Sequence, residues 1–226
     1  MIGFKKIMAF LAASCARIVP QIGKQATNHW SDVDQPTFPR IETERLILRL
    51  PRVEDFDAYA ELFTDEDATR YIGGVLKRGA AWRRFLQMPG AWMVQGFAMF
   101  SVLDKRSGEW LGQAGPWRPQ GWPGTEVGWS FRRSAWGRGF ASEAASASID
   151  WAFANLGWTE VIHCIAPDNE ASKKLAGRLG SRQCRSGKLP APYENEPIEI
   201  WGQSRQQWVN HRNSEAAIHR GHLAGQ

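Results

Sequence analysis

Residues 136–141 read Trp-Gly-Arg-Gly-Phe-Ala, a run suited to holding a diphosphate. A diphosphate is bound by several main-chain N–H groups converging at the start of a helix, where the helix dipole also favours negative charge. Gly137 and Gly139 permit positive φ and close backbone approach, Arg138 adds a positive charge, and a helix is expected to open at Ala141 and Ser142. A glycine turn that joins a strand to a helix and binds nothing has the same short pattern, so the surrounding elements must decide. Upstream, Glu126, Gly128 and Ser130 share one face of an expected strand, while Val127, Trp129 and Phe131 share the other. Glu126 is a carboxylate able to act as a general base, and the glycine beside it is expected to leave room for a ligand. The alternative is a solvated glutamate on an edge.

Periodicity supplies the elements that must position these residues. Residues 18 to about 40 are rich in Gln, Asn, Asp and Pro without apolar periodicity and read as a linker or loose arm. One domain is expected over residues 41–205, with a polar tail over 206–226. It begins with a strand from Glu44 that Pro51 ends, then an amphipathic helix carrying Val53, Phe56, Ala60 and Phe63. A second helix runs from about Gly79 to Met88 and is stopped by Pro89 and Gly90. Strands at 96–105, 109–117 and 125–131 form a meander. A helix over 142–156 presents Ala145, Ile149, Ala152 and Leu156 on one narrow face, and Ala141 and Ser148 are small enough for close approach to a sheet. A strand at 158–166, a helix at 169–179 ended by Gly180, and strands near 181–188 and 195–203 complete the order. That order predicts an α/β fold with a mixed, mostly antiparallel sheet of about seven strands flanked by about four helices.

Composition excludes several classes. With 226 residues, 43% of them hydrophobic, and 12 Trp and 11 Phe, the chain can bury a substantial core. A formal charge of +5 suits a small anionic ligand, weak nucleic-acid affinity or mere solubility. Lys and Arg are scattered without zinc-finger spacing or an RNP-type aromatic motif, so no specific nucleic-acid partner is expected. Cys15, Cys164 and Cys184 make no CxxC pair, and His211, His219 and His222 lack ligand spacing. No metal is expected, and a reducing, cytoplasmic setting fits. No run reaches the roughly 18 apolar residues of a bilayer span, so no membrane partner is expected. Lys5 and Lys6 before Ile7 to Ala13 superficially resemble a short export signal, which leaves residues 1–40 open as a targeting segment or a flexible arm.

Three stretches carry a family likeness: ETERLILR at 42–49, TEVGWSFRRSAWGRGFASEA at 125–144 and APDNEASKKLAGRLG at 166–180. Together, from about Thr43 to Trp201, they resemble the GCN5-related N-acetyltransferases, in the branch similar to RimJ and RimL ribosomal-protein N-terminal acetyltransferases. The family's acyl-coenzyme A signature, Q/R-x-x-G-x-G/A, falls on Trp136, Gly139 and Ala141. Trp136 departs from Gln or Arg, a change that matters little where main-chain N–H groups make the contacts. The resemblance implies acetyl-coenzyme A as co-substrate. It also implies that Trp129 and Ser130 present backbone groups to the pantetheine arm, and that Trp136, Gly137, Arg138, Gly139, Phe140 and Ala141 form the pyrophosphate loop. Asn169 would reach the pantetheine amide and Ser172 would sit near the thioester sulfur. On the residues alone, Asn169 is equally an N-cap with Ser172 three positions on. Many relatives place a tyrosine where this chain has Ala176, so Ser172, directly or through water, becomes the proton donor and Glu126 the base.

The implied reaction is direct attack on the thioester by a primary amine, of a small molecule or of a protein N-terminus. A catalytically silent acyl-coenzyme A module, encouraged by Ala176, and a ribosome-associated binding protein are the other readings. Trp82, Trp92, Trp110, Trp117 and Trp122 crowd the part of the family that shapes the acceptor pocket, as core packing or as an aromatic wall. Arg70, Lys77, Arg78, Arg83 and Arg84 argue against a polycationic acceptor, unless they are only solvated helix charges. A homodimer is compatible with all of this; the acceptor and the oligomeric state do not follow from the residues.

Overall fold

Leu46 and Leu48 are fully buried while Ile47 and Arg49 are half exposed, the two-residue alternation of a strand with one face on a core. The computed structural model describes residues 38–223, so the export-like segment, Cys15 and nearly all of the expected N-terminal arm lie outside the described residues. The strand just named, β2 (Leu46–Arg49), follows a short β1 (Ile41–Glu42). Helices α1 (Phe56–Leu62), α2 (Glu66–Thr69), α3 (Arg78–Phe85) and α4 (Gln87–Gln95) come next. The meander β3 (Phe100–Asp104), β4 (Trp110–Trp117) and β5 (Glu126–Phe131) leads to α5 (Phe140–Asn155). The chain ends through β6 (Glu160–Ile165), α6 (Glu170–Arg178), β7 (Arg182–Gly187), β8 (Ile198–Ser204) and α7 (Arg205–Leu223). The strands form one sheet in the order β1-β2-β3-β4-β5-β6-β8-β7. Every neighbouring pair is antiparallel except β5 and β6, which are parallel.

The mixed, mostly antiparallel sheet is the one the sequence predicts, with an eighth strand because Ile41 and Glu42 pair with Leu48 and Ile47. The helices are more numerous than expected, α2 among the additions, and three local features depart from the sequence reading. The first helical segment is preceded by a 3-10 turn over Val53–Asp55, which leaves Val53 65% exposed instead of on the packing face. Pro89 and Gly90 do not stop a helix but lie inside α4. Pro89 is its third residue, where no intrahelical N–H is required, so the break falls earlier, at Leu86. The polar tail from residue 206 is helical in α7, anchored by buried Trp208, whose indole donates to Asp150 at 2.7 Å.

The α5 face reads as its spacing predicts. Ala145, Ile149 and Ala152 are fully buried with Val127 of β5, and Leu156 packs at the margin. Burying a side chain the size of Ile149 contributes about 1.5–3 kcal/mol, and the small neighbours let the helix lie close to the sheet. On the opposite face Tyr59, Phe63 and Phe85 pack against Trp110. There α1 is tied down by a buried network in which Arg49 pairs with Asp55 at 2.7 Å, Ser101 donates to Asp55 at 2.7 Å, and the Trp110 indole donates to Ser101 at 3.1 Å. Among the described residues no helix is long and apolar enough to cross a membrane, and no group of three or more His, Cys, Asp or Glu is placed to hold a metal ion.

Candidate active site

The parallel strands β5 and β6 share a single registered pair, Glu126 opposite Ile162, and the Ile162 N–H donates to the Thr125 carbonyl at 2.9 Å. The next carbonyl facing β6, that of Val127, is met by the Nδ1 of His163 at 2.7 Å instead of by backbone. A carbonyl can only accept, so Nδ1 carries the proton and Nε2 accepts from the Ser181 hydroxyl at 3.0 Å. Burial pushes the His163 pKa down to about 4, so the ring is neutral at pH 7. It packs 4.8 Å from Trp129 and stands where the next rung of the ladder would be. The strands part there. Main-chain groups facing β6 recur every second residue, so those of Trp129 face it next, and among the described residues no β6 residue is in register with them. An extended ligand can add to such an edge. His163 was not among the sequence candidates; its signal was a polar ring at a buried phase of an otherwise apolar strand.

Where β5 ends, the Trp136 indole donates to the Phe131 carbonyl at 2.9 Å and pins the loop that follows. Gly137 and Gly139 have φ of 70° and 78°, the left-handed region expected of them. Helix α5 opens at Phe140, slightly earlier than predicted, with Gly139 as N-cap and no side chain taking up its first amides. A Cβ on Gly137 would meet nothing within 4 Å. Two guanidiniums lie over the Phe140 ring, Arg138 at 4.6 Å and Arg45 at 4.8 Å, and the next residue, Ala141, is half buried. Arg45 also donates to the Arg138 carbonyl at 2.9 Å and pairs with Glu143 at 2.7 Å, while Thr43 donates to Glu143 at 2.6 Å. Arg45, Lys105, Arg106 and Arg138, outnumbering the carboxylates of Glu44 and Asp104, line a cavity of about 380 Å³ beside the helix start. Free helical amides, left-handed glycines and a cationic wall are the donor set a diphosphate requires.

Glu126 is buried, which removes the reading of a solvated edge residue. One carboxylate oxygen accepts the Cys164 main-chain N–H at 2.9 Å and the other accepts the Trp122 indole N–H. Burial pushes its pKa up to about 7, outweighing the bonds from Cys164 and Trp122, which pull it down. The room expected beside Gly128 is filled by Met99, whose Cε would lie 2.6 Å from a Cβ on that glycine. The filler is an unbranched thioether, which can swing aside. Ser130, farther along the same face, has a buried hydroxyl with no hydrogen-bond partner among the described residues. The Cys164 thiol is pushed up by burial and by Glu126, away from the thiolate.

Across the gap Asn169 caps α6, its Oδ1 accepting the Ser172 N–H at 3.1 Å, which leaves Nδ2 without a partner among the described residues. The Ser172 hydroxyl accepts the Trp129 indole N–H at 3.3 Å, tying α6 to β5 and leaving its own proton to give. Ala176 is fully buried and offers no donor. Of the tryptophans, Trp92 and Trp110 are core, Trp82 is exposed, and Trp122, 6.5 Å from Trp117, is the one on Glu126.

Residues 45–182 match the family described as acetyltransferase (GNAT) domain. The chain belongs to the GNAT acetyltransferases. It is 32% identical over 140 residues to the uncharacterized N-acetyltransferase p20 of Bacillus licheniformis, covering 61% of this chain and 79% of that protein. The solved acetyltransferase of Agrobacterium tumefaciens str. C58 overlays with a TM-score of 0.65 at 29% identity, covering 74% of this chain and 95% of that one. A ribosomal-protein-S5-alanine acetyltransferase from Vibrio fischeri shares the fold, with a TM-score of 0.59 at 21% identity over 75% of this chain and 98% of that one. This GNAT chain is an acetyltransferase enzyme, with the sheet and glycine loop its sequence predicts.

Proposed function

We propose that this GNAT enzyme transfers the acetyl group of acetyl-coenzyme A to a primary amine, of a small molecule or of a protein N-terminus, by direct attack on the thioester. One observation carries the reading: Glu126 is a buried carboxyl pushed up to about 7, on the strand that leads into the uncapped start of α5. A base poised near neutrality can take a proton from an amine and still be ionised in the working pH range.

Coenzyme A supplies an activated acyl thioester; the chain supplies position and proton transfer. The main-chain N–H groups from Gly137 to Ala141 hold the diphosphate, with Arg138 beside them. The unpaired edge at Trp129 and the Nδ2 of Asn169 receive the pantetheine amides, whereas the main-chain groups of Ser130 face β4 opposite Gln113. Glu126 takes the proton of the attacking amine. Ser172, oriented by the Trp129 indole, gives its proton toward the departing sulfur.

The test is thiol release from acetyl-coenzyme A across a panel of amines and N-terminal peptides, repeated with Glu126→Gln. The expected result is release with at least one acceptor and a loss of about 10²–10⁴ in the variant, with coenzyme A still bound. Ala176 favours the second reading, a silent acyl-coenzyme A module, and tight cofactor binding with no release from any acceptor would establish that instead.

A further inference from the structure

The cations around the first helices mostly have acidic partners. Arg49 pairs with Asp55, Arg70 with Asp67, Arg78 with Asp57, and Arg133 with Asp65 and Asp67. Arg84 is different. It is half buried, yet among the described residues no carboxylate lies within ion-pair distance of it. Its guanidinium carbon sits 4.9 Å over the Phe63 ring, a support that orients the charge without neutralising it.

Two hydroxyls share this corner. Tyr59 is 1% exposed, and its hydroxyl has no hydrogen-bond partner among the described residues. Burial pushes its phenol up to about 12, with Arg84 pulling the other way and Tyr193 adding to the rise, so it stays a neutral donor beside both. Arg84 and Tyr193 converge on one point next to Gly73, where a Cβ would lie 3.0 Å from Nη1 of Arg84 and 3.4 Å from the Tyr193 hydroxyl. Gly73 has φ of 96°, so this spot is kept free of a side chain. Arg84 and the Tyr59 hydroxyl lie against each other, both are donors, and neither meets a carboxylate, so their protons are costly to bury unless a ligand accepts them.

The corner adjoins the mouth of the parted strands. Tyr71, two positions before Gly73, donates its hydroxyl to the Asp168 carbonyl at 3.0 Å, next to the Asn169 cap. The segment that carries Tyr193 also reaches toward Glu126. Its Pro190 would lie 3.4 Å from a Cβ on Gly121, and Arg185 donates to the Pro123 carbonyl at 3.1 Å. Trp122, between those two residues, is the indole bonded to Glu126. One loop thus spans from Arg84 to the neighbours of Trp122, the residue bonded to the base.

We propose that Arg84, with the hydroxyls of Tyr59 and Tyr193, is the subsite for a carboxylate on the acceptor, so that the enzyme acetylates amino-carboxylates with the amine at Glu126. One guanidinium with two neutral donors matches the single charge and planar shape of a carboxylate better than a dianionic phosphate. The inference rests on the transferase reading of Glu126, and its test separates the two.

Thiol release is measured with the full chain, acetyl-coenzyme A, the free amino acids, and for each its α-amide and the matching amine without a carboxylate. The expected result is a kcat/KM at least about tenfold higher for one or more acids than for the corresponding amide, the size of a charge-assisted contact. In Arg84→Gln the acid-to-amide ratio falls to about one, carried by KM, and Arg84→Lys restores part of it. Arg83→Gln, on an exposed neighbour, keeps the ratio of the parent. Amides or plain amines that serve as well as acids, or an Arg84→Gln variant that keeps the ratio, would overturn the subsite and leave the transferase standing. No release from any of these or from the N-terminal peptides would remove both.

Discussion

The indole N–H of Trp122 is bonded to the buried carboxylate of Glu126, so the loop between β4 and β5 completes the environment of the proposed base. The other oxygen is held by the Cys164 amide on β6, and the carboxyl therefore bridges two strands that separate just beyond it. Its orientation is fixed by neutral donors, and its protonation is set mainly by burial.

In the proposed reaction the base must be ionised. With its pKa pushed up to about 7, the rate under limiting acceptor is expected to rise about tenfold per pH unit below that value and to level off above it. Glu126→Gln should lose that limb of the profile along with most of the rate. A variant whose pH–rate curve retains the same inflection would assign it to another group.

His163 gives a pH dependence of the opposite origin. Its folded pKa, about 4, lies below its ordinary 6.5, so the unfolded chain binds the extra proton between those values. The stability it contributes is complete above pH 6.5 and drains away as pH falls toward 4. His163→Gln should flatten that decline and lower stability at pH 7.5 by about 1–3 kcal/mol, through the loss of the Val127 and Ser181 bonds. Urea titrations across the window decide it; parallel curves for parent and variant would count against the assignment.

Gly139→Val places a β-branched side chain at φ of 78°, with its Cβ 3.2 Å from an Arg45 nitrogen. Backbone strain of about 1–3 kcal/mol at the N-cap should weaken coenzyme A binding tenfold or more. Calorimetry measures this directly, and an unchanged Kd would mean that these amides do not hold the diphosphate.

Ser172→Ala removes a hydroxyl without disturbing the main-chain N–H that Asn169 caps. If that hydroxyl gives the proton to the leaving sulfur, kcat should drop by about 10²-fold or more while coenzyme A affinity changes little. An unaltered kcat would hand the step to a water or to the acceptor's own proton.

Much of this was legible in the residues because the decisive features are local. The small face of α5, the left-handed glycines and the meander follow from spacing and from steric rules that act within a few residues. Pro89 was misread because a proline has two meanings, a stop within a helix and a tolerated residue in its first turn, and only the kink at Leu86 tells them apart. The occupation of the space beside Gly128 depends on Met99, twenty-nine positions away. His163 as the wedge between strands depends on Val127 and Ser181, and Trp122 as a partner of Glu126 depends on a loop without periodicity. Such pairings arise from register and packing, which no single segment encodes.

The brace from Thr43 and Arg45 to the carboxylate of Glu143 joins positions 100 and 98 residues apart along the chain. During synthesis the glycine loop therefore has its footing waiting, since the segment that steadies it leaves the ribosome first. A truncation beginning at Leu46 would retain every large core strand yet leave Phe140 with one guanidinium in place of two, and its deficit should surface as a floppy anion grip in an otherwise well-packed protein.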